Sequence, residues 1–312
     1  MTATVTLPAR ILSLVRLGRP LYLAGGFLMH GLGVAMALYT GAPLNLPALL
    51  WGQAAITAIQ WMTHYSNEFF DLATDRTNRS PTRWAGGSRV LTDGHLSPQV
   101  ALRTAVVLGA LGLGAASVLT LAVRPGPFTL PLLILPLLLA WAYSAPPVRL
   151  EARGLGELTV AVLVPGMTPL VGFYLQTGQL SPLPLLAAAP LCCIQIATQL
   201  ATEFPDAIGD AAAGKRTLVV RLGGAGAARL HNLALLAAYA LLPPLILAGL
   251  PPLVAASACL SGPVAAWQGW RVGRGAWANP ARWNSLALWG IGLIMGTAGA
   301  ETLAFLWLLG WG

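Results

Sequence analysis

The sequence predicts an all-α fold: a polytopic bundle of about nine transmembrane helices, built as two four-helix repeats plus one final span. Three observations predict it. Hydrophobic residues make up 56% of the 312 residues, against 18 Lys or Arg and 10 Asp or Glu. Apolar stretches of membrane-spanning length recur along the chain. A motif around Asp71 returns around Asp206. We predict a single integral-membrane domain over residues 1–312.

Each predicted span is an apolar stretch that can cross roughly 30 Å of hydrocarbon as a helix. The first contains "LYLAGGFLMHGLGVAMALY", which is too long for a signal-peptide core, so we predict a retained span. In chain order, the nine predicted spans are residues 19–40, 47–70, 99–122, 128–144, 156–176, 182–203, 225–248, 252–272 and 284–309. We predict repeat 1 at about 16–144, repeat 2 at about 156–282, and the last span at about 284–309.

The basic residues indicate the orientation. With a cytoplasmic N-terminus and nine alternating spans, seventeen of the eighteen basic residues lie on the cytoplasmic side and only Arg124 lies on the other. This is a strong positive-inside bias. It predicts a protein of the inner or plasma membrane whose N-terminus and long loops are cytoplasmic. Because topology accounts for the net charge of +8, we expect no nucleic-acid partner.

The repeat joins two acidic motifs. Aligning Asp71 with Asp206 gives seven identities in the seventeen positions from Ile59 to Asp75. The first motif closes predicted span two and the second closes span six, so both lie on the same membrane face. The aligned pairs are Ile59 and Ile194, Gln60 and Gln195, Thr63 and Thr198, Glu68 and Glu203, Phe69 and Phe204, Asp71 and Asp206, and Asp75 and Asp210.

The acidic motifs predict a magnesium site. Their members are spaced three or four residues apart, which places them on one helical face, where like charges repel. Mg²⁺ is bound by one or two carboxylates with waters and substrate phosphates, and the scattered histidines argue against zinc or iron. Solvated helix ends are the alternative for a single motif, and the duplication favours a site. The predicted metal ligands are Asn67, Asp71, Asp75, Glu203, Asp206 and Asp210.

Basic residues follow each motif beside flexible glycines. Arg89 comes after Gly86 and Gly87, and Lys215 comes directly after Gly214. Arginine and lysine suit diphosphate oxygens, and glycines let the backbone close over the group. We predict that Arg89 and Lys215 contact the ligand. The alternative, simple membrane anchoring, is preferred for Arg79, Arg221, Arg229, Arg271 and Arg274.

Three segments resemble the UbiA superfamily of intramembrane prenyltransferases. "NEFFDLATD" resembles its first Asp-rich motif, with Glu68 in place of the usual Asp, and "EFPDAIGDAAAGKRTLVVRLG" resembles the second. "YSAPPVRLEARGLGE" is similar to the loop between spans four and five. The resemblance covers nearly the whole chain. It implies that Asp71, Asp75, Asp206 and Asp210 are catalytic, and that substrate is bound by Asn67, Arg89, Tyr143, Arg149, Lys215 and Arg216.

The resemblance also implies a reaction: Mg²⁺-dependent transfer of a polyprenyl group from its diphosphate to an aromatic acceptor, with the isoprenoid tail among the spans or in membrane lipid. "GGSRVLTDGHLSP" is more similar to the menaquinone-pathway branch, so 1,4-dihydroxy-2-naphthoate is the expected acceptor. Acceptors of the 4-hydroxybenzoate, homogentisate or chlorin type are the alternatives. Faces of Phe69, Tyr143 or Tyr174 are expected to stabilise the allylic cation.

Two other classes of protein carry buried carboxylates in membranes. A secondary transporter holds its site near the bilayer midplane. Here nine of the ten acidic residues lie on the predicted cytoplasmic side, in loops or within two residues of a span end, and only Glu301 lies deep inside a span. A CDP-alcohol phosphotransferase opens its motif with D-G-x-x-A-R, a pattern that the sequence lacks.

Overall fold

The computed structural model describes residues 7–78 and 80–310, a part of the chain that is helical and contains no strand. Arg79, predicted as a membrane anchor, lies outside the described residues. The helices are α1 (Leu7–Leu17), α2 (Pro20–Tyr39), α3 (Leu46–Phe70), α4 (Leu72–Thr77), α5 (Pro98–Val118), α6 (Thr129–Ser144), α7 (Gly156–Ala161), α8 (Thr168–Thr177), α9 (Leu183–Glu203), α10 (Ala207–Ala212), α11 (Leu218–Ala240), α12 (Leu242–Leu247), α13 (Pro252–Cys259), α14 (Gly262–Gly273) and α15 (Pro280–Leu309).

The all-α prediction is confirmed, and every predicted span overlaps a helix or a pair of consecutive helices. Within the described ranges, six helical segments are long and apolar enough to cross a membrane: Pro20–Tyr39, Pro98–Val123, Gly156–Thr177, Leu183–Glu203, Leu218–Leu247 and Pro280–Leu309. The other three predicted spans correspond to α3, to the shorter apolar helix α6 and to the pair α13–α14. The count of nine crossings and the two-repeat layout stay predictions.

The polar character of α3 comes from side chains that face the interior. The imidazole Nδ1 of His30 on α2 lies 3.1 Å from Gln53 Oε1 on α3, and Gln53 Nε2 donates to Thr57 Oγ1 at 3.0 Å. Ser66 and Glu68 are buried near its C-terminal end. This helix is therefore less apolar than its neighbours because it carries polar groups for the bundle interior.

Both acidic motifs break a long helix in the same way. The short helices α4 and α10 have equal lengths, and they begin directly after the equivalent residues Asp71 and Asp206. Asp75 N–H donates to Asp71 O, and Asp210 N–H donates to Asp206 O, each at 2.8 Å. The two short helices contact each other. The breaks thus bring the two motifs together at one end of the bundle.

Small residues fix α2 against α8. A Cβ at Gly33 would overlap the Pro169 carbonyl oxygen, and a Cβ at Gly172 would lie 2.6 Å from the His30 carbonyl oxygen. The two backbones therefore touch, as at other membrane-helix contacts made by small residues. This contact holds α2 in place, and Arg19 precedes α2 directly.

Gly33→Ala tests this contact. Because the added methyl group would meet backbone that has no rotamer to move, we expect a loss of roughly 1 to 3 kcal/mol in stability. Gly31→Ala is the matched control on the same helix, since a Cβ there meets nothing within 4 Å. Thermal unfolding of both variants in detergent is the measurement. Equal melting temperatures for the two would contradict the packing described.

Candidate active site

A cavity of about 140 Å³ lies where the two broken helices meet. Its walls come from the ends of α3 and α9, from α4 and α10, and from the loops that follow them. It brings together all the predicted metal ligands and three of the six predicted substrate-binding side chains, Asn67, Tyr143 and Lys215. The predicted ligands on its wall are Asn67, Asp71, Asp75, Glu203, Asp206 and Asp210.

A larger hollow of about 1040 Å³ lies at the opposite ends of the helices, lined by residues 40–47 and 176–182 among others. Arg124 is the basic side chain on its described wall. The guanidinium of Arg124 donates to the carbonyl oxygens of Leu175 (2.8 Å) and Gln176 (2.6 Å), which close α8. No carboxylate lines this hollow among the described residues, so the smaller acidic cavity is the candidate site.

Lys215 is the cation at the centre of the acidic cavity. Its Nζ lies 2.7 Å from Asp71 Oδ1, 3.3 Å from Glu151 Oε1 and 3.9 Å from Asp210 Oδ1, and only 6% of its side chain is exposed. Burial alone lowers the pKa of a lysine, but the three carboxylates outweigh it and raise the pKa of Lys215. The ammonium group is therefore charged and joins the two motifs.

Asn67 links the first motif to the loop after α6. Its Nδ2 group lies 2.7 Å from Asp71 Oδ2, 3.0 Å from Ser144 Oγ and 3.1 Å from Glu151 Oε2, and it donates to these three oxygens. An amide has two N–H bonds. Three acceptors therefore share two protons, which orients the carboxylates of Asp71 and Glu151 toward one point.

The loop after the first motif reaches the second motif. Asn78 Nδ2 donates to Asp206 Oδ1 at 2.5 Å, and Gly86 N–H donates to Asp206 Oδ2 at 3.1 Å. Gly86 has φ 84°, and a Cβ there would lie 2.7 Å from Asn78 Nδ2, so this turn requires glycine. The loop after the first motif therefore fixes the orientation of the Asp206 carboxylate, which belongs to the second motif.

Burial and mutual repulsion keep the cavity carboxylates from ionising easily. Burial, with the charges of Glu68 and Asp71, raises the pKa of Asp75 to about 7. Burial and the charge of Asp210 raise the pKa of Asp206 to about 7. Burial raises the pKa of Asp210 to about 6, and Lys215 limits that rise. The site therefore favours added positive charge near neutral pH.

Arg19 also lines the cavity, and sequence reasoning missed it. Its guanidinium Nη2 lies 2.6 Å from Glu68 Oε1, and the Glu68 carboxylate also accepts hydrogen bonds from Ser88 N–H (2.6 Å) and Ser88 Oγ (2.8 Å). Glu68 is 3% exposed, so the side chain that replaces the usual motif Asp faces Arg19. Arg19 has φ 46°, a left-handed backbone that this ion pair helps to hold.

Three predicted substrate-binding residues are absent from the described cavity lining. Arg89 Nη1 donates to the backbone oxygen of Asp75 at 2.7 Å, which places the guanidinium on α4. Arg216 is exposed, and its backbone N–H donates to Ala152 O at 2.9 Å. Arg149, with φ 47°, lies in the loop after α6 and does not line the cavity. Roles for these three on substrate stay predictions.

Two further glutamates approach the site from "YSAPPVRLEARGLGE". Glu151 contacts Lys215 and Asn67 as described, and Glu157 Oε1 accepts the backbone N–H of Leu218 at 2.9 Å, at the start of α11. Both are buried. Both could have been identified from the sequence, because they are the only acidic residues in this segment, which resembles a family motif.

A second cavity, of about 290 Å³ and mostly apolar, adjoins the acidic one and shares six lining residues with it. Tyr143 lines both, so it lies at the junction. Tyr174 is elsewhere: its hydroxyl lies 3.3 Å from Thr129 Oγ1 and its ring packs against Phe128. Phe69 packs edge-on against Phe70. The expectation that the faces of Tyr174 or Phe69 meet the reacting carbon finds no support in this geometry.

The fold and the two joined cavities define a class: an integral membrane protein with a buried acidic cavity that adjoins a mostly apolar one. A family model, the UbiA prenyltransferase family, matches residues 28–291. The chain is 30% identical over 245 residues to 1,4-dihydroxy-2-naphthoate octaprenyltransferase of Mycobacterium tuberculosis, covering 74% of this chain and 81% of that protein. The chain belongs to the UbiA prenyltransferase family and is a prenyltransferase.

Solved structures share the fold. The apo structure of a UbiA homolog from Aeropyrum pernix K1 is 21% identical, with a TM-score of 0.69, and covers 90% of this chain and 97% of that one. A UbiA homolog from Archaeoglobus fulgidus bound to GPP and Mg²⁺ is 15% identical, with a TM-score of 0.61, covering 93% and 99%. At these identities the likeness establishes the architecture of the chain.

Asp75→Asn tests the electrostatic description. Because folding raises the pKa of Asp75 from 3.8 to about 7, ionising Asp75 costs more free energy in the folded state than in the unfolded state. The free energy of unfolding of the wild type should therefore fall as the pH rises from about 4 through 7. In EDTA at pH 8 the Asn variant should be more stable than wild type by on the order of 1 to 3 kcal/mol, and the gain should vanish toward pH 4. Thermal unfolding across this pH range in detergent measures it.

Asp93→Asn is the control for that series, since Asp93 is half exposed and its contact with Arg89 is a 4.0 Å surface pair. It should change stability by a few tenths of a kcal/mol at most. A gain for Asp75→Asn that is the same at pH 4 and pH 8 would show that carboxylate repulsion is not its cause.

Proposed function

We propose that the protein transfers a polyprenyl group from a polyprenyl diphosphate to 1,4-dihydroxy-2-naphthoate, with Mg²⁺ as its cofactor. The observation that carries this proposal is the buried meeting point of the two acidic motifs around Lys215, next to an apolar cavity. A diphosphate joined to an isoprenoid has this pair of properties: a highly charged head and an apolar tail.

The side chains fit a magnesium-bound diphosphate. The donors are carboxylates and one amide, the hard oxygen ligands that Mg²⁺ prefers. Glu157 Oε2 and Glu203 Oε2 are buried oxygens without a hydrogen-bond partner. Among the described residues, no three His, Cys, Asp or Glu side chains are placed to hold an ion by themselves. Such a set suits ions that complete their coordination with water and substrate phosphate oxygens.

The residues expected to hold Mg²⁺ are Asn67, Asp71, Asp75, Glu203, Asp206 and Asp210. When bound, Mg²⁺ neutralises charge on the leaving diphosphate. Lys215 donates to diphosphate oxygens from its place between the motifs, as a charge-assisted hydrogen-bond donor. Arg19 lines both cavities at the same end of the bundle, with Glu68 holding its orientation. These groups position the head so that the reacting carbon points into the apolar cavity.

The reaction then proceeds between the two cavities. The allylic C–O bond breaks, and its electron pair goes to the diphosphate. A ring carbon of the acceptor attacks the allylic cation and forms the new C–C bond, and its proton passes to a carboxylate or diphosphate oxygen. Loss of the acceptor carboxylate as carbon dioxide leaves the electron pair of the broken C–C bond on the ring, which takes up a proton. Tyr143 at the junction presents an aromatic face to the cationic carbon. The walls of the 290 Å³ cavity exclude water from it, while the rest of the tail lies among the helices or in lipid.

The choice of acceptor is supported by the relative from Mycobacterium tuberculosis, whose name gives this naphthoate and an octaprenyl group. The magnesium assignment is supported by the Archaeoglobus fulgidus homolog bound to GPP and Mg²⁺. We further propose two four-helix repeats plus a last span in one domain, in the inner or plasma membrane. The positive-inside bias of the sequence supports a cytoplasmic N-terminus and an acidic cavity at the cytoplasmic face.

The test is turnover by purified protein given geranylgeranyl diphosphate, Mg²⁺ and one aromatic acceptor at a time, with products identified by mass. Product from the naphthoate is expected, and EDTA should abolish it. Asp71→Asn and Asp206→Asn should each lower the turnover number by about a hundredfold or more, because each removes a charge from the diphosphate site.

Asp93→Asn should retain wild-type turnover, since Asp93 is a surface residue outside both cavities. Product from 4-hydroxybenzoate and none from the naphthoate would overturn the acceptor assignment while leaving the reaction class intact. Full turnover by Asp71→Asn at saturating Mg²⁺ would overturn the site.

A further inference from the structure

Glu203, which lines the acidic cavity, meets the buried Glu157 where α9 packs against α7. Their carboxyl groups face each other within hydrogen-bonding reach. Glu157 is 1% exposed, and one oxygen of each carboxyl group is buried without a hydrogen-bond partner. Two buried carboxylates can face each other only if positive charge or a proton compensates their repulsion.

The central positive charge of the site lies on Lys215, which contacts other carboxylates. Lys215 forms ion pairs with Asp71, Glu151 and Asp210, and in the described part of the chain none joins it to Glu157 or Glu203. Arg221, from the start of α11, donates to the backbone oxygens of Arg216 and Arg153 instead. Lys215 thus neutralises Asp71, Glu151 and Asp210, whereas among the described residues no ion pair reaches Glu157 or Glu203.

The two equivalent glutamates of the internal repeat have different partners. Glu68 and Glu203 occupy equivalent positions in the two motifs. Glu68 is neutralised by Arg19 at 2.6 Å. Glu203 Oε1 accepts a weak hydrogen bond from Gln199 Nε2 at 3.3 Å, and its neighbouring charge is another carboxylate. The same motif position therefore has an arginine in one half and an acidic partner in the other.

We propose that Glu157 and Glu203 together bind a divalent cation, which makes Glu157 a metal ligand contributed by the first turn of α7. This proposal rests on the proposed function, because the ion it describes is one of those that hold the diphosphate. Glu157 is well placed for the role: its Oε1 is fixed by Leu218 N–H at 2.9 Å, which leaves Oε2 for the ion. Mg²⁺ and Mn²⁺ both accept such oxygen ligands.

The hydrogen bond from Leu218 N–H suggests a different role for Glu157. Its carboxylate would then cap the first turn of α11 and interact with the partial positive charge at that helix end. Glu157→Gln separates the two roles. The amide oxygen of glutamine can still accept the Leu218 hydrogen bond, whereas the negative charge that a metal requires is removed. Glu301→Gln is the matched control: it also removes one buried carboxylate, but from α15 and outside both cavities.

The experiment measures Mn²⁺ binding to the purified full chain in detergent, without prenyl diphosphate, by the loss of the free Mn²⁺ electron paramagnetic resonance signal. We expect Glu157→Gln and Glu203→Gln each to raise the Mn²⁺ dissociation constant at least tenfold, and Glu301→Gln to raise it less than threefold. If Glu157→Gln fails to fold, judged by thermal unfolding, Glu203→Gln and Glu157→Asp carry the test, with Asp expected to retain part of the affinity.

Mn²⁺ binding by Glu157→Gln within threefold of wild type would overturn the proposal, as would equal weakening by Glu301→Gln, which would indicate a general charge effect. The outcomes remain distinct from those of the turnover assay. Naphthoate product from wild type together with unchanged Mn²⁺ binding by Glu157→Gln would reject this ligand and keep the enzyme function. The expected pattern of Mn²⁺ binding without any prenylated product would keep Glu157 as a metal ligand and reject the proposed enzyme function.

Discussion

Crowded negative charge in a low-dielectric setting is the constraint on which the rest of this structure depends. Six carboxylates line one cavity of about 140 Å³. Their repulsion is offset by Lys215, whose ammonium group lies within 4.0 Å of three of them, and by N–H donors from Asn67, Asn78 and Gly86. Removing one partner from a buried ionic network typically costs several kcal/mol, because the remaining charges are left uncompensated.

The helical architecture serves this charge cluster. Each long helix that carries a motif ends where its Asp residues begin, and α4 and α10 then turn the chain so that the motifs face each other. The close contact of α2 with α8 at Gly33 holds α2 and, with it, Arg19. Under the proposed function, the carboxylates that repel one another here would serve as ligands for the cations that hold the diphosphate. The repulsion within the cavity and the proposed function would then have the same physical origin.

The sequence predicted most of the fold and the core of the site, because both depend on patterns that can be read along one chain. Apolar length predicted the helices, and the internal repeat predicted that the two motifs would meet. The sequence did not predict which side chains become partners when they are distant along the chain and meet only after folding. The Arg19 pair with Glu68, 49 residues away, is one such case. Arg89 is another: its loop glycines suggested a diphosphate contact, whereas its guanidinium binds the backbone of α4.

The central claim is that both acidic motifs bind one diphosphate through shared cations. The most direct measurement is a structure of the protein with a non-hydrolysable prenyl diphosphate analogue and Mn²⁺, with the ions located by their anomalous scattering. The account predicts Mn²⁺ peaks within coordination distance, roughly 2 to 2.5 Å, of carboxylates from both motifs, including Asp71 and Asp206, with the diphosphate between them. Ions bound to one motif alone, or an analogue seated in the hollow beside Arg124, would contradict it.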